Sequence, residues 1–237
     1  MENQGIIKRI KTGVAGLDRM ISGGVPVGSQ VLVIGSPGAG KTLLSLEMLY
    51  HNAKLEIPST FITTEEMRES LIDNVENAFY AFEDFEELLE RNVIQIVHKP
   101  ILEDFKSREN FEKFIADVIA TVNANKSKIL VFDSLSSLRA VMIDDRTFTR
   151  SSTYMSEVFR EAGLTAFITV EVSPKLDVTE AGLFGTSMFD GLIKLSVNQS
   201  AGSSQYAIEI AKLRNSAHRI SSVPYQITSK GFDVLAD

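Results

Sequence analysis

The sequence predicts an α/β fold: a mostly parallel central sheet flanked by helices, with antiparallel strands at the C-terminal end. Three observations carry this reading. Short apolar runs alternate with helix-period segments as far as about Val170, the pattern that parallel sheets with helical crossovers produce. The run Val31-Leu32-Val33-Ile34 is short and β-branched, as suits a strand buried on both faces. It feeds a glycine-rich turn and then Leu43, Leu44, Leu46, Met48 and Leu49 at roughly helical spacing. After Phe189 strand-like runs continue, but the helical segments between them stop.

In chain order, Ile7 to Gly28 reads as a short strand or turn, a helical piece around Gly16 to Ile21, and a Gly-Gly-x-Pro turn into the first core strand. Ser59 to Thr63 reads as a strand, followed by helices near Glu69 to Phe79 and near Phe82 to Leu89, then a strand over Val93 to Val97. Phe111, Phe114, Ile115, Val118, Ile119 and Val122 recur at three and four, which predicts an amphipathic helix. A strand over Ile129 to Phe132, a helix from about Thr147 to Arg160 and a strand over Ala166 to Val170 complete the alternation. Gly191 to Val197, Tyr206 to Leu213, Pro224 to Thr228 and Phe232 to Leu235 read as strands joined by short turns. No linker, repeat or low-complexity tract interrupts residues 1–237, so one domain is expected.

Composition narrows the class. With 237 residues, 44 % of them hydrophobic, the chain can bury one sizeable core. There is no cysteine, which excludes disulfide frameworks and thiolate chemistry. The polar start and the lack of any apolar run of transmembrane length predict a cytoplasmic protein with no membrane partner. The net charge of −7 is local: ten acids between Glu65 and Glu90 stand against Arg68 alone. That is the solvated face of helices, and it neither establishes nor excludes a basic groove elsewhere.

Gly35-Ser36-Pro37-Gly38-Ala39-Gly40-Lys41-Thr42 fills every fixed position of the G-x-x-x-x-G-K-[ST] phosphate-binding loop, between a predicted strand and a predicted helix that opens with Leu43. Small residues there let backbone N–H groups close around phosphate oxygens at the positive end of the helix. Lys41 supplies a point charge for the β- and γ-phosphates, and the Thr42 hydroxyl suits Mg²⁺. Asp133, at the C-terminal end of an apolar strand, suits the metal directly or through its water. The bland alternative for Asp133 is a helix N-cap.

Glu65 and Glu66 follow a predicted strand end, where a carboxylate can orient and polarise an attacking water, with Glu65 favoured by position. The alternative is that both simply favour the positive end of the next helix. Lys212 and Arg214 end a later strand and could screen transition-state phosphate charge, a neighbouring subunit's included, although pattern alone favours a solvated basic strand end. His51, His98 and His218 are too scattered for a metal site.

Several strings occur together in order: Thr12-Gly13-Val14-Ala15-Gly16-Leu17-Asp18, Gly23-Gly24-Val25-Pro26-x-Gly28, the phosphate loop, Glu65-Glu66, Asp133-Ser134, Asp190-Gly191-Leu192-Ile193, Lys212-Leu213-Arg214-Asn215-Ser216-x-His218 and Ile227-Thr228-x-x-Gly231. With them the chain resembles, over essentially its whole length, a single KaiC-type domain of the RecA superfamily, the group that includes archaeal RadA paralogues. The resemblance implies a RecA-like P-loop NTPase that binds ATP and Mg²⁺ and hydrolyses ATP. It implies paired catalytic glutamates at Glu65 and Glu66, with Lys212 and Arg214 reaching an adjacent subunit's nucleotide in a homo-oligomer.

By the same resemblance, the loops facing single-stranded DNA in RecA-type filaments would be roughly Arg139 to Arg150 and Ser173 to Ser187. Arg139, Arg146, Arg150 and Lys175 are then the candidate contacts, without the aromatic interleaving that stacks bases. Glu171 stands where RecA-like members often carry a Gln that senses the γ-phosphate. Thr186-Ser187 fall where clock-type domains carry a phosphorylated pair. Three roles follow as expectations. One is a RadA-paralogue-like accessory of DNA recombination or repair, acting on single-stranded DNA or a recombinase. Another is a KaiC-like signalling ATPase or autokinase with protein partners. The third is an ATP-gated interaction module with little hydrolysis.

Overall fold

A computed structural model describes residues 7–78, 82–101, 108–172, 188–200 and 203–236. Its centre is a nine-stranded sheet in the order β11-β10-β9-β8-β3-β7-β6-β4-β5. The parallel part comprises β3 (Gln30–Gly35), β4 (Ser59–Thr63), β5 (Ile94–His98), β6 (Ile129–Asp133), β7 (Thr165–Glu171) and β8 (Gly191–Ser200). Antiparallel β9 (Ser203–Leu213), β10 (Val223–Thr228) and β11 (Gly231–Val234) extend it. A separate two-stranded ladder pairs β1 (Arg9–Ile10) with β2 (Val25–Pro26) around the short helix α1 (Ala15–Met20). The α/β expectation, antiparallel extension included, matches this architecture.

The continuous apolar runs are buried because helices cover both faces of the sheet. Along β3 the side chains alternate: Val31 and Val33 enter one apolar cluster with α1, α2 (Lys41–Ala53) and α4 (Phe85–Glu90), while Leu32 and Ile34 enter the other. The second cluster takes Phe111, Ile115, Val118 and Val122 from α5 (Arg108–Ala124), and Phe148, Met155 and Phe159 from α7 (Asp145–Glu161). Burying each such side chain contributes about 1.5–3 kcal/mol. The periodicity in Phe111 to Val122 is therefore the imprint of this contact.

Three expectations need correction. The helix near Phe82 begins only at Phe85, after the N-cap Asp84, which accepts from the Tyr50 hydroxyl; Phe82 stands before it, stacked on Tyr50 with ring centroids 4.1 Å apart. A short helix, α6 (Leu135–Val141), runs into the segment from Arg139 that the resemblance implied to be a loop; it buries Leu135 and Leu138. Arg139 therefore sits on α6, and Arg146 and Arg150 sit on α7, none of them in an open loop. The β8–β9 hairpin also runs further than its apolar pattern, pairing as far as Ser200 with Ser203. Strand pattern reports burial, whereas polar Asn198, Gln199, Ser204 and Gln205 extend the hairpin by backbone pairing. The remaining helix, α3 (Arg68–Ala78), lies where expected.

Candidate functional site

The loop joining β3 to α2 is tight. Ala39 N–H donates to the Ser36 carbonyl at 3.2 Å, and Leu44 N–H to the Gly40 carbonyl at 2.8 Å. Gly40 adopts φ +85°, a left-handed conformation costly for residues with a Cβ, at the N-cap of α2. Lys41 Nζ turns back onto the loop, donating to the carbonyls of Gly35 at 3.0 Å and Ser36 at 3.1 Å. Burial pushes the Lys41 ammonium below its ordinary pKa, and the carboxylates of Glu171, Asp133 and Glu65 pull the other way. Ser36 and Ala39 are buried, Pro37 and Gly38 exposed, and half-buried Leu43 packs on the core.

The loop opens on a cleft of about 280 Å³ at the C-terminal edge of the parallel strands. Pro37, Gly38, Gly40, Lys41, Thr42 and Leu43 form one wall; Glu65, Glu66, Asp133, Ser134 and Glu171 form the other. A larger groove of about 400 Å³ lies elsewhere, along α5 and α7, and holds none of these residues. Thr42 Oγ1 donates to Asp133 Oδ2 at 2.9 Å, and Thr169 Oγ1 donates to Asp133 Oδ1. Burial pushes the Asp133 carboxyl up, the two hydroxyls oppose the rise, Glu65 adds to it and Lys41 opposes it. Two adjacent hard oxygen donors, one an acid, fit Mg²⁺, which keeps most of its own waters and asks few protein ligands.

Thr64 joins the second wall together. Its N–H donates to the Asp133 carbonyl at 2.7 Å; its hydroxyl accepts from Ser134 N–H at 2.9 Å and meets Ser137 Oγ at 2.7 Å. The Asp133–Ser134 peptide is cis. Ser134 Oγ then donates to Glu65 Oε1 at 2.6 Å, which holds that carboxylate over the cleft. Glu66 Oε2 accepts from Asn74 Nδ2 at 3.2 Å, and burial, with Asp133 and Glu65 nearby, pushes its carboxyl up.

Lys212 and Arg214 are not in this cleft. β9 runs against β8, and its end lies opposite Gly191, which pairs with Val31 at the start of β3. Arg214 N–H donates to the Asp190 carbonyl, and Asp190 N–H to the Gln30 carbonyl, both at 2.8 Å. From Gln30 to Gly35 the chain runs about 16 Å, longer than an arginine side chain. Lys212 Nζ donates to the Phe189 carbonyl at 2.6 Å. Asp190 accepts from Arg160 at 2.8 Å, from Arg214 at 3.4 Å and from Gln30 N–H at 3.0 Å.

The DNA candidates divide. Arg139 pairs with Asp145 and lies over the Phe148 ring, 5.2 Å from its centroid. Arg146 and Arg150 are exposed on α7, and Lys175 lies outside the described residues, as do Thr186 and Ser187. Among the described residues no cluster of His, Asp and Glu forms a metal centre, and no helix is long and apolar enough to cross a membrane.

Residues 10–237 match the KaiC ATPase family. The chain belongs to that family. A protein of family UPF0273 from Thermotoga maritima is 27% identical over 237 residues, covering 95% of each chain. The circadian clock oscillator protein KaiC of Rippkaea orientalis is 26% identical over 244 residues, 97% of this chain but 44% of that protein. A solved KaiC-like protein of Pyrococcus horikoshii OT3 superposes with a TM-score of 0.83 at 27% identity, covering 97% of this chain and 99% of that one. The RecA-like assignment stands, and family membership brings nucleotide binding with it.

The opening string Thr12 to Asp18 has a packing role here. Asp18 accepts from Thr12 N–H and Thr12 Oγ1, both at 2.8 Å, and a Cβ on Gly16 would sit 2.0 Å from the Val234 carbonyl oxygen. Sequence reasoning missed Thr64, Ser134, Ser137 and Thr169 as partners of the site. Single hydroxyls carry no spacing signal, although Thr64 and Ser134 stand next to Glu65 and Asp133, which the pattern did find.

Proposed function

We propose that this KaiC-family chain binds ATP with Mg²⁺ and hydrolyses it by in-line attack of water on the γ-phosphate. It acts as one domain over residues 1–237, in a cytoplasmic homo-oligomer whose clefts each receive Lys212 and Arg214 from a neighbouring copy. The observation that carries the proposal is the charge of the cleft. Among the described residues Lys41 is its one cation, against Glu65, Glu66, Asp133 and Glu171. In-line phosphoryl transfer spreads negative charge over the γ-oxygens, which asks for more positive charge than one lysine supplies.

On binding, Lys41 exchanges the Gly35 and Ser36 carbonyls for phosphate oxygens, and the amides of the loop from Ser36 to Thr42 close around the β-phosphate. Mg²⁺, held by Thr42 and Asp133, would neutralise β- and γ-oxygen charge. Glu65, oriented by Ser134, aligns the water and takes its proton, with Glu66 beside it. Lys212 and Arg214 act across the subunit boundary, because their own cleft is out of reach. The test is ATP turnover per subunit against protein concentration, followed with the oligomeric state. Turnover should rise as the chain assembles. Equal turnover in monomer and assembly removes the trans contribution, and no ATP binding removes the proposal.

A DNA-directed role, as an accessory of recombination or repair acting on single-stranded DNA or a recombinase, rests on one observation: Arg146 and Arg150 lie about one turn apart and exposed on α7. Phosphate contacts release counterions, so such binding must weaken steeply with salt. Absence of binding at low salt leaves a signalling ATPase, an autokinase or an ATP-gated module working through protein partners.

A further inference from the structure

Tyr225 lies on β10, outside the cleft, and is 2% exposed. Its hydroxyl donates to the Ala39 carbonyl oxygen at 2.6 Å. The Ala39–Gly40 peptide is trans, and in a trans peptide the C=O and the following N–H point in opposite directions. A carbonyl fixed toward β10 therefore aims the Gly40 N–H away from β10, and Gly40 is one of the residues lining the cleft. The same residue is gripped from outside: a Cβ on Gly40 would come 2.7 Å from Ile227 Cδ1 and 2.7 Å from Phe232 Cζ.

This grip is itself anchored to the helix the loop begins. Buried Glu47, on α2, accepts from Phe232 N–H at 2.7 Å. The Tyr225 ring sits between Phe232 and Tyr206, with centroids 5.4 Å from each. Burial pushes the Tyr225 phenol up, so the hydroxyl remains a donor.

We infer that Tyr225 is a positioning residue for the nucleotide: by holding the Ala39 carbonyl it presets the Gly40 N–H for a phosphate oxygen. The inference rests on the proposed nucleotide site. It makes the C-terminal strand pair part of phosphate recognition rather than only an extension of the sheet. A merely structural hydroxyl would satisfy a buried carbonyl and affect folding alone.

The two roles separate in Tyr225→Phe, which keeps the ring and removes the donor, compared with Val223→Ala, which thins the same strand two positions earlier without touching the loop. Affinity for Mg²⁺-ADP and Mg²⁺-ATP would be measured by titration calorimetry on the full chain, well below both melting temperatures. Tyr225→Phe should weaken both nucleotides roughly 3- to 10-fold, the worth of one neutral hydrogen bond. Val223→Ala should lower Tm and leave affinity unchanged. Wild-type affinity in Tyr225→Phe, or an equal loss in Val223→Ala, overturns the inference while leaving the nucleotide site standing. Failure of the unmodified protein to bind either nucleotide removes the site, and the inference with it.

Discussion

The two ends of the central sheet carry opposite chemistry. At the C-terminal edge, β3, β4, β6 and β7 deliver Lys41, Glu65, Asp133 and Glu171 to one cleft, where acids outnumber the cation. At the other edge, Arg160, Lys212 and Arg214 gather around Asp190, where cations outnumber the acid. Each end holds the charge the other lacks, and about 16 Å of strand separates them. On the proposed reading such a chain does not complete its own site, and a head-to-tail contact between copies would bring the two ends together. Such heterologous contacts close into rings or run on as filaments.

The largest expected effect breaks the comparison at the basic end. Arg214→Ala should lower turnover on the order of 10³-fold or more at saturating ATP, with ATP affinity unchanged. Mixing it with Lys41→Ala sharpens the point. Neither variant turns over alone, yet mixed assemblies contain intact clefts facing intact arginines and should recover about a quarter of wild-type activity. Two inactive variants that assemble together without recovery would show that the basic end does not serve a neighbour.

At the acidic end, Glu65→Gln keeps the Ser134 hydrogen bond and removes the base. Turnover should fall about 10²- to 10⁴-fold while nucleotide affinity stays within a few-fold, as single-turnover and binding measurements would resolve. If Glu66→Gln produces the larger loss instead, the roles of the two glutamates are exchanged.

The acidic end was the more legible in the sequence, and for a physical reason. Its residues are chain neighbours of strong local signals: Lys41 within the loop motif, Glu65 and Asp133 directly after short apolar strands. A parallel sheet aligns strand ends, so reading each strand end in turn gathers the groups that share the cleft. The hydroxyls of Thr64 and Thr169 stayed hidden because only the alignment of neighbouring strands brings them to Asp133. The basic end was legible as residues but not as a place, since the direction of β9 depends on the antiparallel hairpin after Phe189. The resemblance implied a loop over Arg139 to Arg150, but burial of Leu135, Leu138 and Phe148 makes helices there.

The smallest effect concerns what holds the basic end together in the isolated subunit. Burial alone would raise the Asp190 carboxyl, but Gln30 N–H, Arg160 and Arg214 outweigh it and hold the group below its ordinary value; Lys212 adds a further cation nearby. A carboxyl depressed in the folded state releases its proton more readily there than in the unfolded chain. Its contribution to stability is therefore fully present above the unfolded pKa of about 3.9 and is lost as pH falls through the folded value. Asp190→Asn should lower Tm by a few degrees at neutral pH, since a protein of this size shifts about 2–4 °C per kcal/mol. The gap to wild type should close as pH drops below about 4. A gap of constant size across that range would mean that Asp190 acts through packing and its Gln30 hydrogen bond, and that its charge does not hold the cations at this end of the sheet.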